Sequence, residues 1–571
     1  MKNTLENDTS PYLQQHKNNP VFWQTWNKDS LILAKKEKKP ILLSIGYASC
    51  HWCHVMAHES FEDQETANLM NKHFINIKVD REERPDIDFV FQNSYQLFNQ
   101  TNGGWPLTIF LDENAVPFMA GTYFPPKAMQ GIPSFKNVLQ KVHETYLHQR
   151  EKIINQSKII KESLELKKNS VVKQDLLSIL DLTLSNLDRV KGGFKGAPKF
   201  PVFNVFDSLL YFYNKTQNQS YIEPVELILK KICSQGIYDH TEGGISRYTI
   251  DEEWLIPHFE KMLYDNVQFI QLLSKFLMIN SNDYFKKKLI QTISFIKKNF
   301  INQKNGLLGS AYDADSEGEE GKYYVYDYKE IKDIKDINKY FEINEKGNWK
   351  GKIILKEIDL PPTCILESLN KIRKKKLKPF FDDKTQLDLN SLWISGLLNA
   401  NEVIKEQNYL IEAENFFLKI EQNFGKDNLF HTNSKKSVFL EDYAYMIQCL
   451  IDLYDNTLNL NYRLRAIDLT KECLAQFYDI EKNIFQKNKI KINDLFIKPI
   501  DVSDHTIPNG NSIMLSNFTR LGFLEEAGRL SLSLNGYLNI YKSFMISSLK
   551  SIDYFNEISS GKTCNLNGCK L

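Results

Sequence analysis

The chain has 571 residues, of which 42% are hydrophobic and 25% are charged. This composition is ordinary for soluble globular proteins, and the length predicts at least two domains with substantial cores. The formal net charge of +1 gives no reason to expect nucleic acid or an acidic membrane surface as a partner. Eight cysteines are too few for a disulfide framework in so long a chain, which fits a reducing cytoplasm.

The N-terminal stretch, residues 1–16, lacks the apolar segment that a secretory signal needs. No run approaches the roughly 18 apolar residues of a membrane-spanning helix. We therefore expect a cytoplasmic protein with neither a membrane nor a nucleic acid as its partner.

The chain opens with an aromatic and proline-containing stretch, residues 10–26, which predicts an ordered lead-in with Trp23 and Trp26 in the core. Residues 28–39 then predict a short helix. An apolar run at residues 41–45 predicts a buried strand, because consecutive apolar side chains are typical of strands covered on both faces.

This strand breaks at Gly46, and the turn after it carries a Cys-His-Trp-Cys motif at residues 50–53. A helical stretch and a second strand, residues 74–79, follow. A CxxC pair in this context is typical of thiol redox chemistry, because a helix N-terminus offers unpaired N–H groups and a positive dipole end that stabilise a thiolate. We predict that Cys50, as the more N-terminal and more exposed thiol, attacks a disulfide and that Cys53 resolves the mixed disulfide.

The same motif allows two other interpretations. Cys-x-x-Cys-His is also the attachment signature of c-type haem, but that chemistry needs export and a haem-binding fold, and the sequence indicates neither. Zinc is the second alternative, because three histidines lie close to the thiols: His51, His54 and His58. Zinc takes four donors in a tetrahedron, and no distant second pair of ligands is evident. We therefore expect neither a metal nor a cofactor, while the histidines can still tune the thiolates electrostatically.

A mixed-charge run at residues 81–86 follows the second strand and predicts either a solvated loop or a charge network near the thiols. A helix over residues 89–98 leads to a Gly-Gly-Trp-Pro turn, which predicts a cis-proline at Pro106 before the next strand. In a thioredoxin-like site such a proline lies against the CxxC pair and presents its backbone to an extended peptide. Pro106 is therefore the third candidate catalytic residue, and a hairpin over residues 110–123 continues this small α/β domain.

The character of the chain changes at a polar, lysine-rich stretch, residues 151–174, since strand patterns nearly vanish beyond it. The spacing of apolar residues then predicts about eleven amphipathic helices. They cover residues 176–187, 205–213, 225–234, 267–278, 285–300, 392–404, 411–424, 443–454, 464–477, 513–521 and 527–549. Helices in this number predict hairpins closed into an α/α toroid. An open solenoid is the alternative, although no fixed-period repeat supports it.

The loops between these helices are rich in glycine, aromatic residues and carboxylates. Such loops at the mouth of a toroid suit sugar-like ligands, because aromatic rings stack on sugar rings while carboxylates accept hydroxyl hydrogen bonds or exchange protons. The same residue types also cap and pack helices, so the pattern leaves a purely structural role open. Asp313, Asp315 and Gly318 resemble the start of a calcium loop, but Tyr324 stands where the bidentate glutamate is needed, which excludes calcium.

Longer stretches carry a more specific resemblance. They include SPYLQQHKNNPVFWQTW, KKPILLSIGYASCHWCHVMAHESFED, NGGWPLTIFLDENAVPFMAGTYFPP, GGFKGAPKFP, GGISRYTIDEEWLIPHFEKMLYDN, AYDADSEGEEGKYYVY, LEDYAYMIQCLIDLYD and PNGNS. Together they resemble the spermatogenesis-associated thioredoxin-like family over nearly the whole chain. The resemblance implies a thioredoxin-like α/β domain over residues 1–165, followed by an all-α (α/α)6 barrel over residues 175–571 that is similar to six-hairpin glycosidases and sugar epimerases.

The resemblance places Cys50, Cys53 and Pro106 where the family's thioredoxin site would be. Its barrel motifs carry the candidate pocket residues, which are Trp254, His258, Glu260, Asp313, Asp315, Glu441 and Asp442. The loop at residues 389–391 departs from the family's pattern, because it reads Leu-Asn-Ser where a Trp-Asn-Gly is expected. The C-terminal pair Cys564/Cys569 resembles a pair that the family often carries, but its spacing is neither a zinc nor a redox signature.

Two functional hypotheses follow. The first is a thiol-disulfide oxidoreductase that uses residues 50–53 on a protein dithiol or disulfide, with the helical barrel binding the substrate or partner. The second is a barrel that binds or modifies a sugar-like small molecule, in the manner of an epimerase or glycosidase, with a regulatory thioredoxin-like domain.

Overall fold

A computed structural model describes residues 1–129, 131–165, 176–405, 408–425, 428–433, 435 and 437–561. The C-terminal cysteine pair, Cys564 and Cys569, lies outside these residues. The chain forms two compact units. The first unit comprises Met1–Lys168, Ser434–Phe439 and Gln486–Asp501, and the second comprises Asn169–Asn433, Leu440–Phe485 and Val502–Leu571. Two short late segments therefore belong to the first unit, although the predicted boundary at residue 165 assigned them to the barrel.

The first unit is built on a five-stranded mixed sheet, whose strands are β1 (Gln24–Thr25), β2 (Ile41–Gly46), β3 (Ile75–Asp80), β4 (Leu107–Leu111) and β5 (Pro117–Gly121). Across the sheet they lie in the order β1-β3-β2-β4-β5. Strands β1, β3 and β2 run parallel, whereas β4 pairs antiparallel with β2 and with β5. Every residue of β2, β3 and β4 is buried, as expected for a sheet covered by helices on both faces.

Within the described part of this unit, seven α-helices accompany the sheet. They are α1 (Pro11–Gln15), α2 (Lys28–Glu37), α3 (His51–Met56), α4 (Gln64–His73), α5 (Pro85–Asn99), α6 (Phe135–His148) and α7 (Arg150–Leu164). A 3-10 turn, Leu5–Asn7, precedes α1, and a π-helical turn, Ala57–Phe61, extends α3. Side-chain caps begin several of these helices: Asn27 caps α2 and Asp63 caps α4, which satisfies N–H groups that a helix leaves unpaired at its start.

The core of the first unit lies between the sheet and its helices, and both predicted tryptophan anchors are buried there. Trp26 packs against Phe91 of α5 with ring centroids 5.7 Å apart. Phe496, from the late segment Gln486–Asp501, packs against the same core and lies 6.1 Å from the Phe91 ring. This late segment therefore packs against the hydrophobic core of the first unit.

The mixed-charge run after β3 is a buried ion-pair network. Arg84 forms two hydrogen bonds with Asp86, at 2.9 and 2.7 Å, and a third with Asp494 at 2.7 Å. Asp86 is fully buried and also accepts a 2.8 Å hydrogen bond from the Asn488 amide. The run therefore forms a buried charge network and not a solvated loop, and two members of the network come from the late segment. Its predicted position near the thiols stays a prediction.

The second unit is mostly helical. Its helices are α8 (Leu176–Ser185), α9 (Phe203–Thr216), α10 (Gln219–Ser234), α11 (Leu263–Ile279), α12 (Asp283–Asn299), α13 (Tyr328–Ile331), α14 (Ile337–Tyr340), α15 (Thr363–Arg373), α16 (Leu387–Val403), α17 (Tyr409–Phe424), α18 (Leu440–Thr457), α19 (Leu460–Phe477), α20 (Gly510–Leu521), α21 (Leu524–Tyr541) and α22 (Ile546–Ser559). Its two-residue strands are β6 (Tyr248–Thr249), β7 (Pro257–His258), β8 (Lys261–Met262), β9 (Ala311–Tyr312), β10 (Asp315–Ser316), β11 (Glu319–Glu320), β12 (Phe381–Asp382), β13 (Tyr478–Asp479) and β14 (Ile484–Phe485).

Six of these helices form a closed inner ring. Helix α9 packs against α11, α11 against α16, α16 against α18, α18 against α20, α20 against α22, and α22 returns to α9. Each inner helix also packs against an outer one: α10, α12, α17, α19, α21 and α8 in the same order. A closed ring of six inner and six outer helices is an (α/α)6 toroid. The predicted fold class, a thioredoxin-like α/β domain followed by this toroid, is therefore confirmed.

Two details of the second unit differ from the sequence-based prediction. The single helix predicted over residues 527–549 is two helices, α21 and α22, separated by a 3-10 turn at Lys542–Met545. Apolar spacing continues across this turn, so periodicity could not reveal the break. Helices α13, α14 and α15 were not predicted either. They surround a small separate core that includes Ile331, Phe341 and Leu369.

Candidate functional site

The CxxC pair lies at the junction of β2 and α3. Cys50 is the N-cap residue of α3, and its Sγ accepts a 3.2 Å hydrogen bond from the Cys53 backbone N–H. The two cysteines form a disulfide with their Cα atoms 5.2 Å apart. Cys50 is 3% exposed and Cys53 is 2% exposed. Both cysteines are therefore buried in the disulfide form, and the prediction that Cys50 is the more exposed thiol gains no support from exposures of 3% and 2%.

Aromatic side chains surround the motif. Trp52 is 49% exposed and packs against Tyr123 with ring centroids 5.2 Å apart. The Trp105–Pro106 peptide is cis, as predicted. The Trp105 indole donates a 2.8 Å hydrogen bond to Asp88, and the Arg81 guanidinium lies 3.9 Å from the Trp105 ring centroid. These contacts hold the residue before Pro106 against the charged end of α5.

A group of buried polar side chains lies behind the disulfide. A Cβ atom at Gly46 would lie 2.8 Å from Cys53 Sγ and 2.3 Å from the Tyr12 hydroxyl, so these two atoms border the same narrow space. Lys78 is buried, and its Nζ lies 5.1 Å from the Tyr12 ring centroid and 3.1 Å from Ser44 Oγ. Burial holds the pKa of Lys78 well below its ordinary value.

Tyr12 itself belongs to α1, which Ser10 caps. Ser10 Oγ donates a 2.6 Å hydrogen bond to the buried carboxylate of Asp80, at the end of β3. Burial, together with the negative charge of Asp80, raises the pKa of Tyr12 well above its ordinary value. None of these residues was predicted from the sequence as part of the site. The sequence carries only a weak signal for them, because β3 alternates apolar residues with Asn76, Lys78 and Asp80. That alternation is typical of a strand with one face in solvent, whereas the structure buries both faces.

The second unit brings Asp442, one of the predicted pocket residues, together with two residues that the sequence analysis missed. His431 Nδ1 lies 2.8 Å from Asp442 Oδ1, and both side chains are buried. Asp388, in the first turn of α16, has a ligand atom within 4.8 Å of one on each of the other two side chains. We call these three residues the Asp-His-Asp cluster.

Charge and burial perturb this cluster strongly. Burial raises the pKa of Asp388 to about 7, with Asp442 and Glu441 adding to the rise and His431 opposing it. One imidazole and two carboxylates within this distance could hold a divalent cation. Because the 2.8 Å contact between His431 and Asp442 is already a hydrogen bond, however, the geometry equally suits an imidazole oriented for proton transfer. A single histidine in a loop gave no sequence pattern by which His431 could have been recognised.

The other predicted pocket residues fall into separate groups. His258 Nδ1 lies 2.8 Å from Glu320 Oε1, while Glu260 Oε1 accepts a 3.0 Å hydrogen bond from Arg247. Burial opposes protonation of His258, but its hydrogen bond to Glu320 and the charge of Glu260 outweigh that effect and raise its pKa. His258 and Glu260 are thus members of a buried ion-pair group.

Trp254, Asp313 and Asp315 make structural contacts within the second unit. Trp254 is fully buried, and its indole donates a 2.9 Å hydrogen bond to the Lys191 carbonyl, so it has no accessible ring face for a ligand. Asp313 Oδ1 accepts a 3.0 Å hydrogen bond from the Asp315 backbone N–H, which is the geometry of a tight turn.

The chain is similar in sequence to known proteins and to one family model. A family model described as "Thioredox_DsbH: Protein of unknown function, DUF255" matches residues 2–165. Over 91% of its length the chain is 31% identical to "Uncharacterized protein B0495.5" of Caenorhabditis elegans, covering 80% of that protein. Over the same share it is 29% identical to "Spermatogenesis-associated protein 20" of Homo sapiens, covering 75% of that protein. The chain belongs to the spermatogenesis-associated protein 20 family.

This member of the spermatogenesis-associated protein 20 family is also similar to proteins of solved structure. It is 12% identical to cellobiose 2-epimerase from Bacillus thermoamylovorans, with 67% of this chain and 86% of that chain covered and a TM-score of 0.41. It is 11% identical to a D-mannose isomerase, with 68% and 98% covered and a TM-score of 0.44. Likenesses at this level carry no conclusion about activity. Among the described residues, no helix has the length and apolar character needed to cross a membrane.

Proposed function

We propose that this protein is a thiol-disulfide oxidoreductase in which Cys50 and Cys53 form the redox pair. One observation carries the proposal: the two sulfurs are bonded to each other at the first turn of α3, where Cys50 Sγ accepts the Cys53 backbone N–H. The same N–H and the positive end of the helix would stabilise a thiolate on Cys50 when the disulfide is reduced.

The exchange proceeds in two steps. The Cys50 thiolate attacks one sulfur of a substrate disulfide, forms a mixed disulfide and releases the first substrate thiolate, which takes a proton from water. Cys53 Sγ then attacks Cys50 Sγ, the mixed disulfide breaks, and the Cys53 proton passes to the departing substrate sulfur. The substrate gains two electrons and two protons, the enzyme ends as the Cys50–Cys53 disulfide, and an external dithiol restores it.

The partner in this proposal is a protein that carries a disulfide or a dithiol, and the compartment is the cytoplasm. The exposed half of Trp52, beside the pair, offers apolar surface to such a partner. The helical unit would supply further substrate or partner binding.

The first experiment measures the equilibrium of the Cys50–Cys53 disulfide with glutathione, and the pKa of Cys50 from thiolate absorbance. We expect a reduction potential of roughly −270 to −120 mV, the range of known oxidoreductases, and a Cys50 pKa below about 8.5. Cys50→Ser should abolish disulfide exchange, while Cys364→Ser, at an exposed free cysteine, should leave it unchanged. A pair that forms no disulfide at any glutathione ratio would refute the proposal.

The second candidate function is acid-base chemistry on a sugar-like small molecule in the helical unit. The observation that favours it is the Asp-His-Asp cluster, in which Asp442 fixes the orientation of the His431 imidazole through a 2.8 Å hydrogen bond at Nδ1. Asp388, with a pKa of about 7, would exchange a proton near neutrality. This arrangement suits removal and return of a proton beside a sugar carbonyl.

This candidate is tested by following hydrogen exchange at the carbon beside the carbonyl of reducing sugars in deuterated water. We expect exchange with the wild-type protein and at least a hundredfold loss, about the contribution of a general base, in His431→Gln. His148→Gln, at an exposed histidine in the other unit, is the control. If wild type, His431→Gln and His148→Gln exchange hydrogen equally, the Asp-His-Asp cluster has no acid-base role in this reaction.

A further inference from the structure

Tyr12 has a buried hydroxyl group that makes no hydrogen bond with any described residue. Its side chain is fully buried, in the helix that Ser10 caps. Buried polar groups in proteins are nearly always paired, and an unpaired one costs free energy. Such a group therefore calls for an explanation, and one class of explanation is a role in a state other than the one observed.

The hydroxyl faces the redox pair across the space left by Gly46. A Cβ at that position would lie 2.3 Å from the Tyr12 hydroxyl and 2.8 Å from Cys53 Sγ. Gly46 has no positive φ, so its backbone conformation is open to other residues. What requires glycine here is space: the missing side chain lets the phenol approach the sulfur of Cys53.

The surroundings keep the phenol in its protonated, donating form. Its pKa is raised by burial and by the charge of Asp80, so the hydroxyl retains its proton throughout the physiological range. The oxidised Cys53 sulfur is a poor acceptor, because it is bonded to Cys50. After reduction the same sulfur becomes a thiol or a thiolate, and a buried thiolate is costly unless a donor faces it.

We infer that Tyr12 is a catalytic residue, whose hydroxyl donates a hydrogen bond to the Cys53 sulfur in the reduced protein. This inference rests on the proposed oxidoreductase function. Tyr12 gives up no proton. It lowers the cost of charge on Cys53 as the Cys53 proton passes to the departing substrate sulfur, and it favours the dithiol over the disulfide at equilibrium. Each sulfur thus has its own hydrogen-bond donor: the Cys53 backbone N–H donates to Cys50 Sγ, and the Tyr12 hydroxyl donates to Cys53 Sγ in the reduced protein.

The test uses the full-length protein and the exchange of its disulfide with two glutathione molecules, which yields the dithiol and one glutathione disulfide. Tyr12→Phe should shift this equilibrium about tenfold toward the protein disulfide, the effect of losing one hydrogen bond to a charged acceptor. In a Cys50→Ser background it should also raise the pKa of Cys53, read from thiolate absorbance. Tyr146→Phe is the matched control, because Tyr146 is a buried tyrosine of the same unit whose hydroxyl bonds Glu113. It should change neither quantity.

A second variant separates hydrogen bonding from packing. Replacing Tyr12 with meta-fluorotyrosine keeps the ring and strengthens the phenol as a donor, so the equilibrium should move in the opposite direction, toward the dithiol. Wild-type exchange with no shift in either Tyr12 variant would overturn the role of Tyr12 and leave the oxidoreductase proposal intact. A wild-type protein that exchanges with glutathione at no ratio would overturn both.

Discussion

Gly46→Ala should destabilise the first unit, because the added methyl group has no room. The new Cβ would lie 2.3 Å from the Tyr12 hydroxyl, 2.7 Å from Tyr12 Cζ and 2.8 Å from Cys53 Sγ. Real Cβ atoms essentially never approach heavy atoms closer than 3.0 Å. Neither neighbour moves easily, since Tyr12 is fully buried and Cys53 is held by its disulfide.

The cost follows from overpacking. Adding a methyl group to a well-packed interior costs about 1–3 kcal/mol, and each kcal/mol lowers the unfolding temperature of a domain of this size by about 2–4 °C. We therefore expect the transition of the first unit to fall by about 2–12 °C. Tyr12→Phe removes the nearest of the three atoms, so Gly46→Ala should cost less in that background, with a coupling of about 0.5–3 kcal/mol.

Differential scanning calorimetry of the oxidised full-length protein measures this effect. Gly104→Ala is the control, because Gly104 belongs to the same unit and a Cβ there would meet no heavy atom within 4 Å. Gly104 also has no positive φ that alanine would strain. If Gly46→Ala and Gly104→Ala unfold at the same temperature, the description of a narrow space between Tyr12 and Cys53 is incorrect.

Two further predictions concern pH. Glu320 and Glu260 raise the pKa of His258 in the folded protein, despite its burial. The protonated imidazole therefore stabilises the fold fully at a pH below its pKa in the unfolded chain, about 6.5. This stabilisation is lost as the pH rises through the pKa of His258 in the folded protein. His258→Gln should therefore lower the unfolding temperature more at about pH 5.5 than at about pH 8.5, and an equal loss at both would contradict this. Burial is the main cause that raises the pKa of Asp388 to about 7 in the folded protein. The folded state therefore binds this proton more tightly than the unfolded state, and the free energy of unfolding falls as the pH rises from about 4 to about 7. Asp388→Asn should raise the unfolding temperature at about pH 8 relative to wild type and do so less at about pH 5; the reverse order would exclude a buried, proton-binding carboxylate.

Much of the fold is readable from the sequence, because it depends on local patterns. Short stretches of a few residues were enough to predict the buried strand before Gly46, the CxxC motif after it and the cis-proline of the Gly-Gly-Trp-Pro turn. The amphipathic helices of the toroid follow from the spacing of apolar residues along one helix at a time. Their closure into a ring was inferred from their number, and the packing of α22 on α9 confirms it.

The candidate sites are less readable, because they depend on contacts between distant parts of the chain. In the sequence Tyr12 looks like an ordinary buried aromatic residue. Its position near Cys53 depends on the fold, which leaves a space beside Gly46 that both side chains border. His431 lies in a loop, and Asp388 reaches it through the packing of α16 on α18 and through a 2.9 Å backbone hydrogen bond from Leu387 N–H to the His431 carbonyl. Trp254 was predicted as a ligand-binding residue because it is an aromatic residue in a glycine-rich loop. In the structure its side chain is fully buried and packs in the interior.

The buried charge network after β3 has a consequence for how the protein is made. Asp86 and its partner Asn488 are 402 positions apart in the chain. A ribosome that adds about 5–20 residues per second needs roughly 20–80 seconds to synthesise that interval. During this time the sheet of the first unit is already complete in sequence, while Phe496 and the last partners of Arg84 and Asp86 do not yet exist. For that interval the nascent unit therefore lacks the side chain that packs on Phe91 and the amide that pairs with Asp86.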